Sequence, residues 1–281
     1  MPPFRYPPDV SKIRLLTYLA PSIPAGLFEL VAAEIEAAVS VGVALDFEAS
    51  VSGPTPEADP FTDGRADLAF VCGPSYSLLR AAGRAVEVVA AAPVFDDARN
   101  GGKPVYFADL IVRRNHPARA FADLRGSAWA YNDRQSLSGW LRMLERLESL
   151  GFGRDPDAFF SRVAASGSHV ASIDLVARGE ADLSAVDSNT LLLARRREPS
   201  LDDRLRVLES WGPSPVQPLI ARSGLPAPLR EQIASALLAM ADSAETSRRL
   251  REFGVLRFAP VEENVYRPPA TDGINGARPA S

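Results

Sequence analysis

The sequence predicts an α/β protein of two lobes, and three observations support this prediction. Short apolar runs of strand length alternate with segments in which apolar residues recur at helical spacing. With 281 residues, of which 46% are apolar and 23% charged, the chain suits about two globular domains. A second alternating series begins after Gly101-Gly102, and the pattern returns to the first series after residues 209–216. We therefore expect two α/β lobes, with the chain crossing between them near 93–106 and again near 209–216.

The first lobe is predicted to comprise residues 12–104 and 214–262. Its strands are expected at 13–18, 43–49, 67–71, 86–92 and, after the second crossing, 217–220. Its helices are expected from Leu27 to Ala38, where apolar residues recur every three or four positions, and at 75–82, 228–242 and 244–253. Gly83 directly follows the second of these helices, and glycine commonly ends a helix.

The second lobe is predicted to comprise residues 105–213. Its strands are expected at 105–113, 127–131, 182–186 and 205–209. A leucine stripe from Leu141 to Leu150 predicts an amphipathic helix that ends at Gly151, and a further helix is expected from Val170 to Ala177. Residues 263–281 are expected to be a loose tail, because most of this stretch is proline, glycine and small or polar residues.

Composition and charge exclude several classes of protein. The net charge of −4 argues against nucleic acid as the main partner, since such proteins favour a basic face. Cys72 is the single cysteine and there are two histidines, so a disulfide within the chain and a metal centre are not expected. No cofactor is expected either. The sequence contains no apolar run of about 18 residues, and residues 1–10 (M-P-P-F-R-Y-P-P-D-V) do not resemble a secretory signal. As written, the chain is expected to be soluble and cytoplasmic.

Three loops that connect a strand to a helix share one chemical character. Residues 18–24, residues 134–139 (the serine loop) and residues 166–169 each bring hydroxyl groups or glycine to the start of a helix. The first N–H groups of a helix have no partner inside it and, with the helix dipole, attract anions. Several such loops around one cleft predict a site for a small anion. The alternative is that the serines of these loops are simple helix caps.

Several motifs occur in a fixed order along the chain. They are Asp67-Leu68-Ala69-Phe70 before Gly73-Pro74-Ser75-Tyr76, Phe121-Ala122-Asp123-Leu124-Arg125-Gly126, Tyr131-Asn132-Asp133, Ser136-Leu137-Ser138-Gly139, Ser166-Gly167-Ser168-His169 with Ser172, and Gly179-Glu180-Ala181-Asp182 before Asp187. In this order and spacing, over most of residues 12–255, the chain resembles the phosphonate-, phosphite- and phosphate-binding proteins of ABC importers.

The resemblance implies a type II periplasmic-binding-protein fold, in which two α/β lobes with mixed sheets are joined by a hinge of two crossings. In that family a small oxyanion is held in the cleft between the lobes, by the serine loop and the helix that follows it. His169 matches the histidine of the family's Ser-Gly-Ser-His motif, and Tyr76 the tyrosine that follows its Gly-Pro. The ligand-binding residues that the resemblance implies are Tyr18, Tyr76, Ser136, Ser138, Gly139, His169, Asp187 and Gln217.

Two departures from the family pattern bear on the ligand. Leu137 stands between the two serines where the family often has a hydroxyl residue, which removes one donor. Gln217 is neutral at a position where binders of aminophosphonates place a carboxylate, and a buried ammonium needs a charged partner. A bare oxyanion, or one with a neutral tail, is therefore favoured. Asp187 has three interpretations that the sequence leaves open: it binds ligand, caps a loop or pairs with Arg134.

Other functions remain open at the level of sequence. A ligand sensor on the same fold would report to a regulatory partner instead of an ABC permease. An enzyme would use Cys72, His169 and Asp187 as nucleophile, base and orienting group. His169 could also be only a helix-cap residue, and Cys72 only a small buried side chain. By the resemblance, the protein is expected to be a monomer and periplasmic.

Overall fold

A computed structural model describes residues 12–51 and 53–266, and within them twelve strands alternate with eight α-helices. The strands are β1 Lys12–Thr17, β2 Gly42–Phe47, β3 Leu68–Phe70, β4 Val86–Val88, β5 Ala92–Phe95, β6 Val105–Arg113, β7 Ala128–Tyr131, β8 Arg162–Ala165, β9 Leu183–Asp187, β10 Leu205–Pro215, β11 Leu219–Arg222 and β12 Val255–Ala259. The helices are α1 Ala25–Val39, α2 Gly73–Ala81, α3 Arg142–Ser149, α4 His169–Arg178, α5 Ser188–Arg197, α6 Leu201–Arg204, α7 Ala227–Ala239 and α8 Ala244–Glu252. The predicted α/β class is confirmed.

The first lobe is built on a mixed five-stranded sheet with the order β2-β1-β3-β11-β4. Strands β1, β2 and β3 are parallel, whereas β11 runs antiparallel to both of its neighbours. All three residues of β3 are buried, as expected for a central strand that is covered on both faces. Helix α1 presents Leu27, Leu30 and Ile35 to the same core, at the helical spacing seen in the sequence.

The second lobe is built on another mixed sheet, with the order β10-β6-β9-β7-β8. Strand β7 is parallel to β8 and β9, and β6 is antiparallel to β9 and β10. Side chains of β6 alternate between the two faces: Leu110 and Val112 belong to one hydrophobic core, and Ile111 to the other. Because both faces are covered, the strand reads as a continuous apolar run.

The chain passes between the lobes twice, and the two crossings lie side by side. Val105 at the start of β6 pairs with Pro215 at the end of β10, and the Val216 amide donates to the Pro104 carbonyl at 3.0 Å. The predicted architecture, two α/β lobes with mixed sheets on a hinge of two crossings, is confirmed. The detailed lobe bounds, 12–104 with 214–262 and 105–213, stay a prediction.

Several elements differ from the sequence-based expectations. The single strand expected at 86–92 is instead β4 followed by β5, because β5 leaves the first sheet and pairs antiparallel with β12. The expected loose tail is wrong for its first residues: Tyr266 is buried, and its hydroxyl donates to the Val216 carbonyl at 2.8 Å. The tail beyond it and the expected lack of a signal in residues 1–10 concern residues outside the described part. None of the described helices is both long and apolar enough to cross a membrane.

Candidate functional site

A small cavity lies where the two lobes meet. Strands β1 and β3 of the first lobe and β7 and β9 of the second all direct their carboxyl ends toward it, the usual place for a ligand site in α/β sheets. The lining residues are Tyr18, Leu19, Ser22, Ile23, Cys72, Asn132, Ser136, Ser138, His169, Asp187, Thr190 and Gln217. Six of the eight predicted ligand-binding residues are among them, and no lysine or arginine is.

The serine loop reaches the cavity through a π-helical turn, which is wider than an α-helical turn. Ser136 caps the following helix, because its Oγ accepts the Gly139 N–H at 3.0 Å. The first turn, Leu137–Leu141, is a π-helix in which the Leu141 amide donates to the Ser136 carbonyl at 3.0 Å. A Cβ on Gly139 would lie 1.8 Å from Asn132 Oδ1, so only glycine fits. The turn therefore places Ser136 and Ser138 together at the cavity wall.

His169 begins α4 and faces the serine loop. Its Nε2 lies 3.2 Å from Ser138 Oγ and 3.5 Å from Ser136 Oγ. Burial lowers the pKa of His169 to about 3, so its ring is neutral near pH 7. Its Nδ1 is buried and has no hydrogen-bond partner among the residues that the structure describes. The His169 amide donates to Ser22 Oγ across the cleft at 3.3 Å, which links the two lobes beside the cavity.

Asp187 ends β9 and is buried beside Gln217. One carboxylate oxygen accepts the Asn189 and Thr190 N–H groups at 2.7 and 3.3 Å, so Asp187 caps α5. The other oxygen accepts from the Gln217 side-chain amide at 2.5 Å. Burial raises the pKa of Asp187 to about 6. Of the interpretations left open by the sequence, capping describes Asp187, and the amide of Gln217 already occupies the oxygen that faces the hinge.

Tyr18 and Cys72 complete the wall from the first lobe. Both follow the ends of strands, Tyr18 after β1 and Cys72 after β3, and both are 6% exposed. Burial raises the pKa of Tyr18 to about 12 and that of Cys72 to about 12. Near pH 7 the first lobe therefore offers a neutral phenol and a neutral thiol. Asp187 is the one acidic residue of the cavity lining, and the other polar lining residues are uncharged.

Residues 27–266 match the family model described as "ABC transporter, phosphonate, periplasmic substrate-binding protein". The chain belongs to this family. The match spans both lobes and includes the serine loop, the start of α4 and Asp187.

Solved structures share the fold of this phosphonate-family protein. A binding protein component of an ABC phosphonate transporter from Pseudomonas aeruginosa has a TM-score of 0.75 at 16% identity, covering 92% of this chain and 84% of that one. PhnD1 from Prochlorococcus marinus, in complex with methylphosphonate, has a TM-score of 0.76 at 18% identity, covering 92% and 95%. A histidine kinase sensor domain with similarity to periplasmic binding proteins has a TM-score of 0.57 at 19% identity, covering 88% and 97%. These likenesses support the type II periplasmic-binding-protein fold.

Two of the predicted ligand-binding residues do not line the cavity. Tyr76 contacts the C-terminal segment instead: its hydroxyl donates to Glu263 Oε1 at 2.5 Å, and its ring packs edge-on against Tyr266. The reason is that α2 is covered by residues 263–266, which the sequence suggested were loose. A role for Tyr76 in ligand binding stays a prediction. Gly139 lies behind the wall, where its N–H holds Ser136 and its missing side chain makes room for Asn132.

The cavity also contains residues that the sequence analysis did not select. The loop at 18–24 contributes Leu19, Ser22 and Ile23 to the cavity lining. The sequence indicated that this loop opens a helix, but not which of its side chains reach the cavity. Thr190 lies in the first turn of α5, which Asp187 caps. A helix start rich in Ser, Thr and Asn after a capping aspartate was the sequence signal that could have indicated Thr190. Asn132 stood within a recognised motif, and its contact with the site depends on the packing at Gly139.

Proposed function

We propose that this protein binds a small oxyanion of the phosphonate, phosphite or phosphate class between its lobes and presents it to an ABC permease. The observation that carries the proposal is the convergence of Ser136, Ser138 and His169 on one wall of the cavity, opposite Tyr18. Since both sides of the cavity come from one chain, a single chain is the working unit.

An anion can be held here by neutral groups alone. Hydrogen bonds to a charged partner contribute about 1.5–3 kcal/mol each, and an exposed helix start adds about 0.3–1 kcal/mol. Three or four such bonds around one oxyanion amount to about 8 kcal/mol, which corresponds to a micromolar dissociation constant. The hydroxyls of Ser136 and Ser138, the Tyr18 phenol and the start of the helix at Leu137 are the groups proposed for this role.

The substituent of the ligand is proposed to be uncharged. Both oxygens of Asp187 already accept hydrogen bonds, from the α5 amides and from Gln217. An ammonium group in this cavity would therefore have to displace the Gln217 amide to find a carboxylate, and burying it without a partner is costly. The neutral Gln217 thus disfavours aminoalkyl ligands.

The protein is proposed to bind its ligand without chemical conversion. The raised pKa of Cys72 keeps it a thiol, which is a much weaker nucleophile than a thiolate. The Nε2 atom of His169 faces the two serine hydroxyls, and its lowered pKa makes the ring a poor base near pH 7. We expect Cys72→Ala to retain ligand affinity within about threefold.

Calorimetric titration with phosphate, phosphite, methylphosphonate, 2-aminoethylphosphonate and methanesulfonate tests the proposal. At least one of the first three is expected to bind with micromolar or tighter affinity, and the aminoethyl compound more weakly than methylphosphonate. Ser138→Ala should weaken binding by about 10- to 150-fold, because one bond to a charged ligand is lost.

Ser184→Ala is the matched control, since Ser184 is equally buried in the same lobe but does not line the cavity. A folded protein that binds none of the five compounds would refute the proposed function. Equal losses of affinity in the two serine variants would refute the assigned site.

A further inference from the structure

A groove at one edge of the cleft adjoins the cavity of the proposed oxyanion site. It lies between the 18–24 loop and α8 of the first lobe and α4 and α5 of the second. Ser22 and Thr190 line both the groove and the cavity, so the two spaces meet at these residues. We call it the arginine groove, because Arg196 and Arg197 line its outer part. Both arginines are exposed, so the groove reaches the surface of the protein.

The arginine groove carries positive charge that the cavity lacks. Arg196 Nη2 lies 2.5 Å from Asp96 Oδ2, in an ion pair between the second lobe and the first, so its charge is offset. Glu252, which also lines the groove, is paired with Arg248 at 2.5 Å. Arg197 has no ion pair among the residues that the structure describes. The net charge at the groove is therefore positive.

The cavity itself does not attract anions from a distance. Hydrogen bonds act only at contact, so its hydroxyl groups hold an oxyanion but do not draw one from solution. The protein carries a net charge of −4, and the one acidic residue of the cavity lining is Asp187, so both repel anions. An unpaired arginine beside the opening supplies a local attraction, which extends over about 10 Å at 0.1 M salt.

We propose that the oxyanion enters the cavity through the arginine groove, and that Arg197 raises the association rate by attracting the ligand there. The inference rests on the proposed function and goes further, because it assigns a route and a kinetic role to residues outside the binding wall. The passage is closed at Ser22, whose Oγ accepts the His169 N–H across the cleft at 3.3 Å. Because this bond is long, separating the two residues costs little.

Stopped-flow fluorescence with phosphate, phosphite and methylphosphonate tests the role of Arg197. For each anion that binds, Arg197→Gln should lower the association rate constant about threefold at about 0.02 M salt, and Arg197→Glu about tenfold. The dissociation rate constants should stay within about twofold of wild type. At 1 M salt the Debye length is about 3 Å, so the association rates of the variants and the wild type should converge.

Lys12→Gln is the matched control for the loss of one positive charge. Lys12 is exposed at the amino end of β1, whereas the carboxyl end of that strand points to the cavity. Its association rate should stay close to wild type. Equal effects of Lys12→Gln and Arg197→Gln, or an unchanged rate in Arg197→Glu, would overturn the inference and leave the proposed function intact. A folded wild-type protein that binds none of the three anions would overturn both.

A bulky side chain in the groove tests the route itself. Val170 lines the groove but not the cavity, and a barrier on the path slows entry and exit alike. In Val170→Trp both rate constants should fall at least about fivefold, while the dissociation constant from calorimetry stays within about threefold. Leu175→Trp alters another half-buried residue of α4, outside the groove, and should leave both rates near wild type.

Wild-type rates in Val170→Trp, or equal slowing in the two tryptophan variants, would overturn the assigned route. The Arg197 variants change only an exposed side chain, so they keep the test decisive if the added bulk at Val170 prevents folding.

Discussion

Replacing Gly139 by alanine tests whether close packing behind the serine loop builds the site. An alanine Cβ would lie 1.8 Å from Asn132 Oδ1, 3.0 Å from Asn132 Cγ and 3.2 Å from His169 Cε1. Asn132 and His169 are only 7% and 8% exposed, so neither can turn out into solvent. Overpacking of this kind costs about 1–3 kcal/mol. For a protein of this size each kcal/mol lowers the melting temperature by roughly 2–4 °C, so we expect a decrease of about 2–12 °C.

Binding should suffer more than stability in this variant. The new methyl group would overlap Asn132 Oδ1 and press on His169 Cε1. Because His169 Nε2 lies only 3.2 Å from Ser138 Oγ, repacking around these two side chains alters the wall that faces the ligand. We expect the affinity for the preferred oxyanion to fall at least tenfold, measured by calorimetry beside a thermal melt.

Gly42→Ala is the control, because no atom lies within 4 Å of a Cβ at that exposed β2 position. It should leave both quantities nearly unchanged. A Gly139→Ala protein with wild-type affinity and melting temperature would refute the packing argument.

Three further predictions concern single groups of the site. The pKa of Asp187 is raised from 3.8 to about 6, so its ionisation destabilises the folded protein. The wild-type free energy of unfolding, minus that of Asp187→Asn, should therefore fall by about 2 kcal/mol between about pH 4 and pH 7, and a flat difference would contradict this. The pKa of His169 is lowered to about 3, so its ring resonances in NMR spectra should not titrate between about pH 5 and pH 8, and a midpoint in that range would contradict its burial. Tyr76→Phe removes the bond to Glu263 and should cost about 1 kcal/mol of stability by denaturant titration while ligand affinity stays within twofold; a tenfold weaker affinity would return Tyr76 to the site.

In the serine loop, the local sequence pattern predicts the helix cap but not whether the capping serine lines the cavity. Hydroxyl residues before a leucine-striped helix predict a capped helix start, and Ser136 is both such a cap and a lining residue of the cavity. Ser168 caps α4 through the Ala171 amide at 3.1 Å and does not line the cavity, so the simple capping interpretation holds for that residue. Ser136 and Ser168 therefore cap helices in the same way. They differ in their tertiary surroundings, because only Ser136 also lines the cavity.

Tyr76 makes a contact that the local sequence pattern does not indicate. Its motif matched the family, and its position at the start of α2, close after β3, placed it near the cleft. The partner of its hydroxyl, Glu263, is 187 residues away in the sequence, in a segment whose composition suggested a loose tail. No short-range signal indicated that residues 263–266 would cover α2.

The sequence by itself determined the alternation of strands and helices, the order of the helix-opening loops and the uncharged character of most candidate ligand groups, because each depends on residues close together in the chain. The tertiary structure alone decided which groups share a cavity, since the contacts that define it join distant residues: Ser22 with His169 across 147 positions, and Gln217 with Asp187 across 30.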